Sequence, residues 1–176
     1  EARASLIPKE KGIIAGLDVA GTVFRRVNPE LVFTQKLLDG DRVEGGEVVS
    51  IISGSMASIL TAERTALNFL QRMSGIATLT DHYVRAVVGT TASIADTRKT
   101  VPGLRLLDKY SVSIGGGRNH RMNLTDGVLI KDNHLAALSG EGVSLIQAIK
   151  RARSNAPHTV KIEVEVETIE AALASA

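Results

Sequence analysis

Gly127-Val128-Leu129-Ile130-Lys131-Asp132-Asn133-His134 (127–134) is a short apolar run that breaks at once into charged and amide side chains. Such a run, bounded by turn residues, reads as a buried strand that delivers polar groups at its carboxyl end. The pattern repeats outward. Ala92–Ala95 forms a similar run before Asp96-Thr97-Arg98-Lys99-Thr100, and Ser111–Ile114 one before Gly115-Gly116-Gly117-Arg118-Asn119-His120-Arg121. Downstream come a helical stretch from Gly142 to Arg153, a strand from Val160 to Val166 and a new helix starting at Thr168. Strands alternating with helices predict parallel βα units of an α/β fold. A closed (β/α)8 barrel takes about 250 residues, so a chain of 176 is expected to hold part of a barrel and to belong to a longer protein.

The first 60 residues have a different texture. Ser5–Ile7, Gly12–Ala15 and Val32–Leu37 read as strands, Asp18–Arg26 as a short amphipathic helix, and 39–51 as two hairpin-like bends at Asp39-Gly40 and Gly45-Gly46. The spacing of Val43, Gly46 and Val49 is similar to the hammerhead of biotinyl and lipoyl carriers. No lysine occupies the turn that such carriers modify, so the segment reads as scaffold, an N-terminal α/β sandwich over 1–60. From Thr61 a helical pattern runs to about Val88, with Ala62, Ala66, Leu70, Met73, Ala77, Tyr83 and Val87 on one face and Ser74-Gly75 expected to loosen its middle. Residues 61–176 are therefore assigned to a linker helix and the first half of the barrel.

Composition narrows the function classes. Aromatic residues are 3% of the chain and the net charge is only +2, which argues against a stacking or polybasic nucleic-acid binder. There is no Cys, so thiolate chemistry, disulfides and Cys-bound metals are excluded. No apolar run has the length of a membrane span and no signal-peptide pattern opens the chain. The expectation is a soluble, cytoplasmic protein.

Three predicted strand ends each carry cations and hydrogen-bond donors: Thr97, Arg98 and Lys99; His120 and Arg121; Lys131 and His134. One Arg-Lys pair is ordinarily solvated surface, but three in succession point to a strongly anionic small ligand. The triple glycine reads either as a flexible turn or as a phosphate cradle. In 160–166 strict alternation places Lys161, Glu163 and Glu165 on one face. That face either meets water or lines a barrel lumen, where carboxylates suit Mg2+ or ribose hydroxyls. Arg64 falls in the expected first turn of the long helix, a place the helix dipole disfavours for a cation.

Taken together, AERTALNFLQRMSGIAT (62–78), DTRKTVPGLRLLDKYSV (96–112), GGGRNHRMNL (115–124), DGVLIKDNHL (126–135) and KIEVEVE (161–167) resemble the quinolinate phosphoribosyltransferase family. The resemblance implies transfer of phosphoribose from phosphoribosyl pyrophosphate to the nitrogen of quinolinate with loss of the 2-carboxylate. It further implies that Arg98, His120, Arg121 and Lys131 line the quinolinate pocket and that Thr97 joins the substrate-binding set. Lys99 and His134 would approach the phosphates, and Glu165, aided by Glu163, would hold Mg2+ and ribose. Lys99, Lys131 and Glu165 become the catalytic candidates, and Arg64 would reach a neighbouring subunit's site in a homodimer or a hexamer of dimers. The alternatives are a molybdenum-transport-associated relative of the same fold, against which the run from Ile130 to His134 weighs, and a noncatalytic anion-binding half-barrel.

Overall fold

The computed structural model describes residues 1–176, which form two compact units, Glu1–His120 and Arg121–Ala176. In the first, strands β1 (Ala2–Leu6), β3 (Val32–Gln35) and β5 (Ser50–Gly54) make an antiparallel sheet in the order β1-β5-β3. β2 (Gly12–Ile13) pairs antiparallel with β4 (Arg42–Val43). Helices α1 (Leu17–Val27) and α2 (Met56–Ala86) share the core with the sheet: Leu17, Ala20 and Phe24 of α1 meet Ile59, Ala62, Ala66 and Leu70 of α2 around Val49 and Ile52. Burying each large apolar side chain contributes roughly 1.5–3 kcal/mol. The sandwich expected at the start of the chain is thus observed, with α2 as one of its layers.

α2 starts at Met56, where Ser55 Oγ accepts from the Ser58 backbone N–H, five residues before the expected Thr61. Arg64 therefore sits beyond the first two turns, and the dipole reasoning attached to it fails. The helix also runs unbroken through Ser74-Gly75, contrary to expectation, because its hydroxyls are spent on the neighbouring strand. Ser74 Oγ accepts from Ala15 N (3.0 Å) and donates to Ala15 O (3.2 Å), while Thr78 Oγ1 accepts from Ile13 N (2.9 Å). These side chains serve β2 as a strand edge would. Ala62, Ala66, Leu70, Met73 and Ala77 are buried as the periodicity requires, whereas Tyr83 is 55% exposed.

The largest correction concerns residues 105–117. Ser111–Ile114 is not a strand but the last turn of α3 (Arg105–Ile114). Ala92–Ala95 contributes one isolated parallel bridge, Ala95 to Arg118, in place of a full strand. The triple glycine closes α3 and fits it against α2. A Cβ on Gly115 would collide with Ala77 O and lie 2.6 Å from Thr80 Cβ, and one on Gly117 would lie 2.8 Å from Thr80 Cγ2. Gly116, at φ +85°, turns the chain in the left-handed region. No phosphate cradle is needed to explain these residues. α3 is also tied to the sandwich by Tyr110, whose hydroxyl donates to Asp39 Oδ2 (2.8 Å). Asp39 in turn accepts from the N–H groups of Gly16 and Leu17, capping α1 from outside the helix. Burial, reinforced by Asp39, pushes the Tyr110 phenol up to about 12.

The second unit holds β6 (Gly127–Ile130), α4 (Asp132–Gly140), α5 (Leu145–Asn155), β7 (Lys161–Val164) and α6 (Ile169–Ser175). β6 and β7 pair in parallel from Gly127–Lys161 to Ile130–Val164, the βα architecture expected. α4 begins directly after Lys131, so the polar residues expected at the end of β6 form the first turn of a helix. Ser144 begins α5 with a capping box completed by Gln147.

Two substitutions test this packing. Gly115→Ala forces α2 and α3 apart and lowers unfolding free energy toward the upper end of the roughly 1–3 kcal/mol range of overpacked cores, measured by urea denaturation. Tyr110→Phe costs about 1 kcal/mol at neutral pH, because the bond to a carboxylate is partly solvated. Since the folded phenol stays protonated to about pH 12 while the unfolded one ionises near 10, the parent protein loses stability as pH rises between them. The Phe variant lacks that contribution to the alkaline slope.

Candidate functional site

The loop Thr97–Lys99 is shaped by local bonds: Thr97 Oγ1 accepts from Lys99 N (3.0 Å) and Thr100 N donates to Arg98 O (2.9 Å). Thr97 and Lys99 are exposed and Arg98 is half-buried. What fixes the loop is the residue before it. Asp96 N donates to Arg118 O (3.0 Å), and Arg118 N to Ile94 O (2.8 Å), joining the two segments side by side. The Asp96 carboxylate accepts from Lys109 Nζ at 2.6 Å and from the His120 backbone N–H at 2.8 Å. Asn119 completes the network. Its surroundings orient the amide NH2 toward Asp96 Oδ2 (2.8 Å) and Lys109 O (3.0 Å), while its oxygen accepts from Ser113 Oγ.

Lys109 is 1% exposed, so the ion pair is buried and its charges are balanced internally. A second pair braces the same helix: Arg72 of α2 donates to both carboxylate oxygens of Asp108 (2.9 and 2.7 Å), raising the Arg72 guanidinium above its ordinary range. Beside these pairs opens a cleft of about 270 Å3, lined by Arg72, Asp96, Thr97, Lys99, Thr100 and Lys109 among others. A groove of about 710 Å3 between α2 and the turn from β1 to β2 holds none of the predicted site residues. Arg64 stands apart on the exposed surface of α2.

In the second unit the carboxyl ends of β6 and β7 bring three predicted residues together. Lys131 follows β6 directly and Glu165 follows β7, and the Lys131 Nζ lies 3.4 Å from Glu165 Oε2. The Glu165 N–H donates to Ile130 O (2.8 Å), extending the strand pairing to the site. His134 sits in the first turn of α4, where its Nδ1 accepts from Lys131 N (3.0 Å). The neutral ring therefore carries its proton on Nε2, a donor beside the positive end of a helix. Lys161 and Glu163, earlier on the alternating face of β7, pair at 3.0 Å. Arg121 is buried, with Nη1 donating to Gly127 O at the start of β6 (2.9 Å).

Nowhere do three Asp, Glu or His side chains gather closely enough to hold a metal ion by themselves. Glu165 is one carboxylate beside an ammonium. That donor set fits Mg2+ only where other oxygen ligands complete its shell, since Mg2+ keeps several waters and uses one or two carboxylates. Sequence reasoning did not single out Lys109 or Asp96. The available signal was helical: Asp108 and Lys109 share the buried face of α3 with Ser111, where apolar side chains are the rule.

The chain matches two family models, described as "Quinolinate phosphoribosyl transferase, N-terminal domain" over residues 1–74 and "Quinolinate phosphoribosyl transferase, C-terminal domain" over 76–176. It is 45% identical over 167 residues to the Bacillus subtilis protein described as "Probable nicotinate-nucleotide pyrophosphorylase", carboxylating, covering 95% of this chain and 56% of that protein. It is also 45% identical over 170 residues to the chloroplastic nicotinate-nucleotide pyrophosphorylase, carboxylating, of Arabidopsis thaliana, covering 97% and 48%. The crystal structure of NadC from Streptococcus pyogenes superposes with a TM-score of 0.90 at 48% identity, covering 97% of this chain and 60% of that one. The chain thus spans about half the length of the curated relatives it matches.

The exposed Lys131–Glu165 pair carries little stability. Lys131→Ala and Glu165→Gln should each unfold within about 1 kcal/mol of the parent, whereas Lys109→Met strands a buried carboxylate and costs roughly 3–5 kcal/mol. Parallel thermal melts check the contrast.

Proposed function

The chain belongs to the quinolinate phosphoribosyltransferase family, and from that premise we propose that the protein containing it transfers phosphoribose from phosphoribosyl pyrophosphate to quinolinate. Decarboxylation follows, giving nicotinate mononucleotide, pyrophosphate and carbon dioxide, a step that supplies NAD biosynthesis. The observation that carries this reading is the meeting of Lys131, His134 and Glu165 at the ends of two adjacent parallel strands. Open α/β sheets and barrels place ligands at that end.

Both substrates are polyanions, and bringing them together in water is opposed by charge repulsion. Arg98, His120, Arg121 and Lys131 are assigned to the two carboxylates of quinolinate. Guanidinium forks suit carboxylates geometrically, and donors fixed before the reaction need no reorganisation during it. Lys99 and His134 are assigned to the phosphates of the second substrate, with Thr97 in the same loop. The Glu165 carboxylate, adjacent to the Lys131 ammonium, is assigned to accept from ribose hydroxyls as the anomeric carbon gains positive charge. Mg2+, carried on the pyrophosphate and met by Glu165, would neutralise charge on the leaving group. Once the ring nitrogen is alkylated it withdraws electrons from C2, so decarboxylation needs orientation more than a base.

Action in the cytoplasm is part of this proposal; separately, no helix is long and apolar enough to cross a membrane. The exposed guanidinium of Arg64 is assigned to the site of a second subunit, which makes a homodimer the smallest active form, whether or not dimers assemble further into a hexamer of dimers.

The test is production of nicotinate mononucleotide by the full-length protein, with Mg2+ present, followed by mass spectrometry. Lys131→Ala and Arg64→Ala should each lower kcat/KM by at least about 100-fold. Mixing these two inactive variants should restore about a quarter of parental activity, since half of the mixed dimers' sites then receive both residues from different subunits. No product from the parent protein contradicts the transferase reading, and no recovery on mixing contradicts the shared site.

A further inference from the structure

We propose that Lys109 and Asp96 are positioning residues that hold the loops 97–99 and 118–120 in register for binding quinolinate, an inference that rests on the transferase reading above. Lys109 is 1% exposed and its Nζ is engaged by Asp96, so its part in the reaction is exerted through its partner. That partner is unusually committed. Asp96 uses its backbone N–H on Arg118, one carboxylate oxygen on both Lys109 Nζ and the His120 N–H, and the other oxygen on Asn119. One carboxylate therefore joins the start of the Arg98–Lys99 loop to the peptide of His120, and Lys109 anchors both to α3.

A buried ion pair is a weak source of net stability, since apolar replacements of similar volume usually do as well. Its effect is geometric. The carboxylate has neither a free oxygen nor a spare rotamer, so the two loops cannot shift independently while Lys109 holds it. Displacement of a binding group by about 1 Å can reduce an enzyme's efficiency by about 100-fold. Tyr110 offers an internal comparison. Its hydroxyl donates to Asp39 and braces the same helix against α1, but it makes no bond to 97–99 or 118–120.

The experiment compares four variants of the full-length protein: Lys109→Met, Lys109→Met with Asp96→Asn, Asn119→Ala and Tyr110→Phe. The double variant removes both charges together, and Asn119→Ala opens the network from its exposed side, so the comparison survives if Lys109→Met fails to fold. Hydrogen exchange of segments 96–100 and 118–120 reads positioning directly and needs no substrate. Steady-state kinetics at a temperature where each variant is folded reads its consequence. In the first three variants both segments should exchange at least about tenfold faster, together, and KM for quinolinate should rise at least about tenfold while kcat changes less than about threefold. Tyr110→Phe should lower the melting temperature while leaving both readouts near parental values. Unchanged exchange, faster exchange with unchanged KM, or an equal effect from Tyr110→Phe would each overturn the inference. A parent protein that exchanges as expected but makes no nicotinate mononucleotide would instead sink the functional reading on which it rests.

Discussion

The contact between Lys109 Nζ and Asp96 Oδ1, at 2.6 Å, joins the framework of the first unit to its candidate chemistry. Two opposite charges buried together repay their desolvation only if the geometry is tight and the remaining valences are filled. Here the carboxylate is filled by the His120 N–H and the Asn119 amide. The loops are thereby built around the pair, and rearranging them would expose a buried charge. Against the roughly 5–15 kcal/mol by which domains are stable, stranding one partner would consume a large fraction.

The pair can form only where α3 is set, and α2 sets it. Small residues let α2 approach closely: Ala62 and Ala66 against the sandwich, and Ala77 where Gly115 packs without a Cβ. Polar groups on the same helix fix its neighbours, Ser74 and Thr78 to β2 and Arg72 to Asp108 of α3. Tyr110 closes the circuit by returning from α3 to Asp39, the remote cap of α1. The sandwich is in this way part of what places the Arg98 loop.

Much of this was legible in the sequence because local chemistry and tertiary role agree. Val128–Ile130 is apolar and β-branched at both ends, lies between turns, and is a strand. The ions that follow it meet those after β7, as the parallel reading demands. Ser111–Ile114 misled because Val and Ile favour strands while the preceding Leu104–Lys109 gives the same residues a helical continuation. The glycines were ambiguous for a similar reason: a phosphate loop and a close helix contact both require a missing Cβ, and only Ala77 and Thr80 show which applies. Arg64 lost its apparent position when Ser55, a better N-cap than Thr61 in context, started the helix earlier. Lys109 stayed hidden because a lysine within Leu-Leu-Asp-Lys-Tyr reads as solvated surface until its carboxylate partner, 13 residues away, is seen. Family likeness could name the loop residues but gave no reason for their placement, which lies in that buried pair.

The most direct test is a crystal structure of the full-length protein with quinolinate bound. The account predicts the two carboxylates of the ligand on the Arg98 guanidinium and at His120, with Lys109 still bonded to Asp96 and withdrawn from the ligand. Quinolinate bound away from Arg98 and His120, or Asp96 turned from Lys109 toward the ligand, would contradict it.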